Sequence, residues 1–275
     1  MGSSTTEKRS VLRRLHAGPQ ILVMPNAWDV VSARIFEDAG FAAVATSSAA
    51  VAWSLGFPDG SALETEVHLA ALERIVHALG VPVSADVENG YAADPAALAA
   101  FVRRLDAAGV AGYNLEDTMT PSTVHPLAEA RERVRAAREA APDLFLNART
   151  DLYLAEIGPE KTRLDATVER LRAFADAGAD GVFVPGVSDP EIIAALAAAT
   201  PLPLNVLANP KGPDAAALQR LGVRRVSVGS WPMRRVLGEL RAIADELHDH
   251  GTFTFARERT LAYGPLNALI AGPGM

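Results

Sequence analysis

The sequence predicts an α/β protein built as a (β/α)8 barrel, and three observations predict it. Eight short, β-rich apolar runs recur along the 275 residues. Between them stand Ala-, Leu-, Arg- and Glu-rich segments with helical spacing. No low-complexity linker divides the chain, and eight β/α units of this total length match a barrel, which needs roughly 250 residues. Residues 1–275 are therefore read as one barrel domain with a helical extension from about 255 to 275.

The elements follow in order. The strand runs are ILVMPN from Ile21, AAVATSS from Ala42, VPVSADVE from Val81, AGYNLED from Ala111, LFLNART from Leu144, DGVFVPG from Asp180, PLNVLA from Pro203 and RVSVGS from Arg225. PAALAAFVRRLDAAG and LDATVERLRAFADAG typify the helices between them. Gly40, Gly109, Gly178 and Gly222 each precede a strand by a few residues, where a helix ends on a left-handed residue that glycine adopts without strain. Pro95 after Asp94, and Pro190 after Asp189, read as an N-cap followed by proline at the first helical position. An open doubly wound sheet is the runner-up. Against it, PNAWDVVSAR follows the first strand where a glycine-rich phosphate loop would stand. The tail FARERTLAYGPLNALIAGPGM reads as an extra helix available to a partner subunit.

Composition narrows the function. With 26 basic and 33 acidic residues, a net charge of −7, there is no electrostatic reason to expect nucleic acid or an anionic membrane as partner. Absence of cysteine excludes disulfides, thiolate nucleophiles and cysteine-ligated metals. The start, MGSSTTEKRS, is polar, and no run reaches the roughly 18 apolar residues of a membrane span. A soluble, cytoplasmic protein is expected.

Barrel active sites lie where the strands end. Here the strands end in Thr46, Ser47 and Ser48, then Asp86 and Glu88, then Glu116 and Asp117, then Asn147, Arg149 and Asp151, and Asn205, with Asp59 in the loop after the second. Any one of Asp86, Glu88 and Glu116 could be a helix cap or a solvated loop charge. Three carboxylates on one mouth repel one another, and a hard divalent cation relieves that repulsion. Mg²⁺ suits the pattern, with Mn²⁺ as a substitute; zinc does not, since no His or Cys cluster accompanies the acids. Arg149 has two readings, a buried ion pair with Asp151 or Glu116, or a bidentate grip on a bound anion beside the metal. The TSS turn is either a capping turn or a carboxylate cradle. Asn205 reads as a turn cap or a weak substrate contact. His125 is expected at the surface, and Trp28, Trp53 and Trp231 are expected to fill gaps between helices and barrel.

In order and spacing, PDG, DVENGY, NLEDT, NART and the closing RVSVGS resemble the isocitrate lyase/phosphoenolpyruvate mutase superfamily over nearly the whole chain. The resemblance implies a barrel whose eighth helix is exchanged with a neighbouring subunit in a homo-oligomer, a dimer or tetramer. It implies Mg²⁺ held, partly through water, by Asp59, Asp86, Glu88 and Glu116. Thr46, Ser47 and Ser48 would hold the substrate carboxylate, and Arg149 and Asn205 the rest of the anion; Arg149, Glu116 and Asp59 are the expected catalytic groups. The implied chemistry cleaves or rearranges a C–C or P–C bond in a small 2-oxo or 2-hydroxy acid through a metal-stabilised enolate.

Two departures bear on the reaction. The gating loop reads EDTMTPSTVHPL, with neither the cysteine motif of the lyases nor the asparagine motif of the mutases, and strand six ends in FVPG where the lyases commonly carry a glutamate. A mutase-like or decarboxylase-like activity is therefore expected over an isocitrate-type lyase. The alternative is a non-catalytic barrel that binds or senses 2-oxo acids; a purely structural oligomer is a third, remote reading.

Overall fold

The computed structural model describes residues 4–60 and 64–272. Helix α1 (Thr5–Ala17) precedes a first strand split into β1 (Leu22–Met24) and β2 (Asn26–Ala27) at Pro25, whose nitrogen has no hydrogen to donate. Then come α2 (Val30–Asp38), β3 (Val44–Thr46), α3 (Ser48–Ser54), α4 (Thr65–Ala78), β4 (Val83–Asp86), α5 (Pro95–Ala107) and β5 (Gly112–Glu116). A hairpin of β6 (Thr118–Thr120) and β7 (Thr123–Val124) leads to α6 (Leu127–Ala140), β8 (Phe145–Arg149), α7 (Glu160–Asp176), β9 (Gly181–Val184), α8 (Pro190–Ala199) and β10 (Leu204–Leu207). The chain closes with α9 (Ala215–Arg220), β11 (Arg225–Ser227), α10 (Trp231–His250), a 3-10 turn at Thr254–Arg257 and α11 (Tyr263–Ala271).

The main sheet runs in the order β1-β11-β10-β9-β8-β5-β4-β3-β2. Its pairings are parallel, from Leu22 opposite Arg225 at one end of the order to Asn26 opposite Ala45 at the other. Both ends belong to the one split strand, so the sheet closes into a barrel of eight strand positions. Each of the eight runs read from the sequence supplies one of them. The helix punctuation also holds: Gly40, Gly109, Gly178 and Gly222 all have φ between 81° and 99°. Asp94 caps the Ala97 N–H at 2.8 Å, and Asp189 caps that of Glu191 at 2.8 Å.

Apolar side chains from strands and surrounding helices form the main core, while a second cluster seals the barrel floor. There Leu12 of α1 is fully buried against Leu22, Met24, Ala43, Ala45, Ala111 and Phe145. Gly112 permits the seal, because a Cβ at that position would lie 2.6 Å from the Phe145 carbonyl oxygen and 2.9 Å from Leu12 Cδ2. His16, one turn on, stacks on Phe145 with ring centroids 3.9 Å apart. Asp180 pins this end by accepting from Arg13, Arg138 and the Leu146 N–H.

Two sequence expectations need correction. His125 is buried, not superficial: it pairs with Glu129 at 3.0 Å, and its carbonyl accepts from Arg170 at 2.9 Å. Trp231 fills no gap between helix and barrel; it is 41% exposed and carries the Arg234 guanidinium 4.3 Å from its ring centroid. Trp231 opens α10, in which Met233 is the buried residue while Val236, Leu237, Leu240 and Leu247 face outward. Helix α11 packs against α2. Among the described residues no helix is long and apolar enough to cross a membrane.

Candidate active site

Strand alternation places the site. Residues i and i+2 share a face, so Ser84 with Asp86, Asn114 with Glu116, Asn147 with Arg149 and Arg225 with Ser227 form inward-facing pairs. Their lower members make a buried polar layer. Arg225 donates from Nη1 to Ser84 Oγ (3.3 Å) and from Nη2 to Asn114 Oδ1 (3.4 Å), and Asn147 Nδ2 donates to the same oxygen at 2.8 Å. Burial lowers the Arg225 pKa to about 10, with Asp86 opposing the shift. Asn114 Nδ2 in turn donates to Asp86 Oδ1 at 3.3 Å, linking this layer to the one above.

The upper layer opens into a cavity of about 610 Å³ whose lining includes Asp59, Asp86, Glu88, Glu116, Arg149 and Asp151. Ser48 donates to Asp86 Oδ2 from both its N–H (3.1 Å) and its hydroxyl (2.8 Å). Glu88 sits in the left-handed region at φ 50°, followed by Gly90 at 82° and Tyr91 at 52°. For a residue with a side chain this costs about 1 kcal/mol or more. The strained turn points the Glu88 carboxyl into the cavity, where the Tyr91 hydroxyl donates to it at 3.4 Å. Burial, then Asp86 and Asp59, push the Glu88 pKa up to about 7. Burial likewise raises Glu116 to about 8, against the pull of Arg149, and burial and Asp86 raise Asp59.

Arg149 is fixed on three sides. Its Nε and Nη2 form a fork on Asp151 at 2.6 and 2.7 Å, its Nη1 lies 2.9 Å from Glu116 and 3.9 Å from Asp86, and its plane stands 5.5 Å from the Phe183 centroid. Burial disfavours the charge, but Glu116 and Asp151 outweigh it and hold the pKa well above the ordinary arginine range. The ion-pair reading of Arg149 thus describes its contacts here, and those contacts orient Nη1 toward the cavity.

Not every predicted site residue reaches the cavity. Ser47 and Ser48 line it, the former also capping α3 through the Ala50 N–H at 3.4 Å. Thr46 and Asn205 do not line it. Thr46 is fully buried and accepts the Asp86 N–H at 2.9 Å, and Asn205 is fully buried and accepts from Ser227 at 3.4 Å. Asp117 faces the surrounding helices instead, paired with Arg170 of α7 at 2.9 Å. Sequence reading passed over Asn26, Asn114 and Arg225. Asn26 joins the first and last strands, accepting from the Val228 and Gly229 N–H groups at 2.8 and 2.9 Å. Period-two spacing marks Asn114 and Arg225, each two residues before a cavity-lining position.

Among the described residues no group of three Asp, Glu or His side chains is gathered closely enough to enclose a metal ion by itself. The donor set nonetheless fits Mg²⁺. It is all oxygen, it is over-rich in acids for its one lining cation, Arg149, and Mg²⁺ binds through one or two carboxylates while retaining water. Asp86, Glu88, Glu116 and Asp59 are the side chains that could hold it.

Comparison with known proteins agrees with this geometry. The family model described as phosphoenolpyruvate phosphomutase matches residues 12–248. A crystal structure of a candidate phosphonomutase from Burkholderia cenocepacia J2315 superposes with a TM-score of 0.83 at 41% identity, covering 87% of this chain and 99% of that one. A candidate lyase/mutase from the same organism gives 0.90 at 36% identity, over 98% and 97%. The oxaloacetate decarboxylase of Bradyrhizobium sp. (strain BTAi1 / ATCC BAA-1182) is 34% identical over 87% of this chain and 84% of its own. With barrel, rim and sequence in accord, the chain belongs to the phosphoenolpyruvate phosphomutase family, within the isocitrate lyase/phosphoenolpyruvate mutase superfamily.

Proposed function

We propose that this enzyme, of the lyase and phosphonomutase type, cleaves or rearranges a C–C or P–C bond in a small anionic 2-oxo or 2-hydroxy acid by way of an enolate, with Mg²⁺ as cofactor. The observation that carries the reading is the meeting of Asp86, Glu88 and Glu116 with the oriented Nη1 of Arg149 in one cavity. Arg149, locked by Asp151, binds the substrate anion. Ser47, at the end of β3, adds a hydroxyl donor for the substrate carboxylate on the opposite flank, and Ser48 acts beside it by holding Asp86 through its N–H and hydroxyl. Asp86, held by Ser48 and Asn114, keeps a fixed carboxylate for the cation together with Glu88, Glu116 and Asp59. When bound, Mg²⁺ supplies positive charge to substrate oxygens that gain negative charge as the bond breaks. Met119 and Pro121 of the β6–β7 hairpin also line the cavity.

A phosphonomutase- or decarboxylase-like reaction is preferred to an isocitrate-type lyase because the chain has no cysteine to serve as thiol acid. A binding-only role is not favoured among relatives named as enzymes. The exposed apolar stripe of α10 supports a homodimer or tetramer in which that helix packs on a neighbouring barrel. NMR of the protein with Mg²⁺, offered phosphonopyruvate, oxaloacetate and 2-methylisocitrate in turn, tests the proposal. Turnover abolished by EDTA and inhibited by oxalate is expected; turnover indifferent to EDTA would overturn the metal's role.

A further inference from the structure

Glu88 is the cavity acid whose backbone is held most firmly and whose carboxyl is held least. The Glu88 carbonyl accepts from the Glu116 N–H at 3.0 Å, and the buried Arg133 of α6 donates from Nη2 to the Asn89 and Ala92 carbonyls at 2.7 and 3.1 Å. Asn89 closes the turn, accepting the Tyr91 N–H at 3.0 Å and donating from Nδ2 to the Thr118 carbonyl at 3.2 Å. A Cβ on Gly90 would lie 2.3 Å from Leu98 Cδ1, so the turn is seated directly on α5. None of these contacts reaches the carboxyl. Asp86 accepts from the Ser48 N–H, the Ser48 hydroxyl and Asn114, and Glu116 has Arg149 beside it. Among the described residues the Glu88 carboxyl has one hydrogen-bond donor, the Tyr91 hydroxyl.

Tyr91 is itself anchored from behind. Its ring meets Phe101 of α5 edge-on with centroids 5.7 Å apart, and the His68 ring of α4 with centroids 5.4 Å apart. His68 is fully buried, and its Nδ1 lies 3.3 Å from the Tyr91 hydroxyl. A phenol carries one hydrogen and can also accept one. Of its two neighbours the carboxylate is the stronger acceptor, which directs that hydrogen to Glu88. The phenol oxygen is then left to accept, so His68 Nδ1 carries the ring hydrogen. The row from His68 through Tyr91 to Glu88 therefore runs donor to acceptor throughout.

We propose that Tyr91, backed by His68, is a positioning residue for Glu88: it presents the carboxyl to a cation in the cavity and so strengthens Mg²⁺ binding without touching the substrate. The inference rests on the reading of Glu88 as one of the groups that hold Mg²⁺.

Calorimetric titration of the full chain with Mg²⁺ tests it. Tyr91→Phe keeps the ring and its contacts and removes the hydroxyl alone. Its expected effect is a roughly tenfold loss of Mg²⁺ affinity, the scale of losing a group that orients a metal ligand, with thermal unfolding moved by no more than a few degrees. In a Glu88→Ala background the same change is expected to cost nothing further, because the carboxyl it orients is gone. A Tyr91 that only shapes the turn would instead weaken both backgrounds alike, and that result overturns the proposal, as does a Tyr91→Phe protein that binds Mg²⁺ like wild type. His68→Leu is expected to weaken Mg²⁺ by less than Tyr91→Phe does, and His68→Asn, whose amide can donate from the place of Nδ1, to recover the loss; His68→Leu with wild-type affinity overturns the role of His68. Wild-type affinity in Glu88→Ala alone overturns the inference and leaves a cation site on the other acids. Failure of the wild type to bind Mg²⁺ overturns the metal reading and the inference with it.

Discussion

A guanidinium can be both a structural brace and a substrate ligand; the contacts of Arg149 make it the first, and the proposed function gives it the second role as well. The Asp151 fork and the Phe183 plane fix its orientation, while Nη1 remains the atom nearest Glu116, Asp86 and the cavity. Lysine keeps the charge but cannot form the planar fork. Arg149→Lys is therefore expected to lower kcat/KM by roughly a hundredfold, the scale set by misplacing a binding group by about 1 Å, while thermal unfolding shifts by only a few degrees. Steady-state kinetics beside calorimetry checks this; a large fall in Tm with activity intact would make Arg149 a buried ion pair and no more. At this scale the sequence was legible where a residue type carries its own chemistry, as with Asp86, Glu88, Glu116 and Arg149. It was less legible for Thr46 and Asn205, since a strand's last few residues occupy different depths and the letters do not say which depth is open.

Among the elements, α1 is the one whose role did not show in its pattern. Its first residues read only as a polar start, yet Leu12 and His16 close the barrel floor, and the signal that could have found them lies elsewhere, in the small residues Ala43, Ala45, Ala111 and Gly112 that leave room at the strand starts. His16 is held neutral there. Its Nδ1 lies 2.8 Å from the Leu12 carbonyl, and burial, followed by the nearby Arg225 charge, lowers its pKa to about 3. An unfolded histidine titrates at about 6.5, so between these two values the unfolded chain binds the proton that the folded chain refuses. The contribution of His16 to stability is thus fully present above about pH 6.5 and is lost as pH falls toward 3, by up to about 1.4 kcal/mol per pH unit. Urea midpoints of wild type and His16→Gln, compared at pH 7 and pH 5, isolate this one group from the raised carboxylates and from His68. The wild type is expected to lose more stability over that interval than the variant; equal losses would mean that His16 takes up its proton in the folded state.

The molecule as a whole declared itself through repetition: strand-helix punctuation gave the barrel, and Gly40, Gly109, Gly178 and Gly222 gave four of its joints. Closure through a strand broken at Pro25 was hidden, because a pairing between the first and last strands depends on residues some two hundred positions apart. The outward stance of α10 was signalled by the family resemblance and not by the helix's own pattern. Met233, Leu237 and Leu240, with Val236 beside them, recur at helical spacing, which in a monomeric barrel would turn them onto the strands; instead Val236 is 52% and Leu240 56% exposed. Apolar area of this kind on one long helix is costly in water and is ordinarily covered by another protein surface. A second copy of the chain supplies one without any further partner, and a closed symmetric assembly would cover every such helix at once. Light scattering behind size exclusion is accordingly expected to give a dimer or tetramer at micromolar concentration. The paired variant Val236→Lys/Leu240→Lys should shift the protein toward the mass of one chain while circular dichroism stays helical, since neither side chain is needed inside its own barrel. A wild-type protein that elutes as a single chain under the same conditions would sink this assembly and leave the α10 stripe to some other covering.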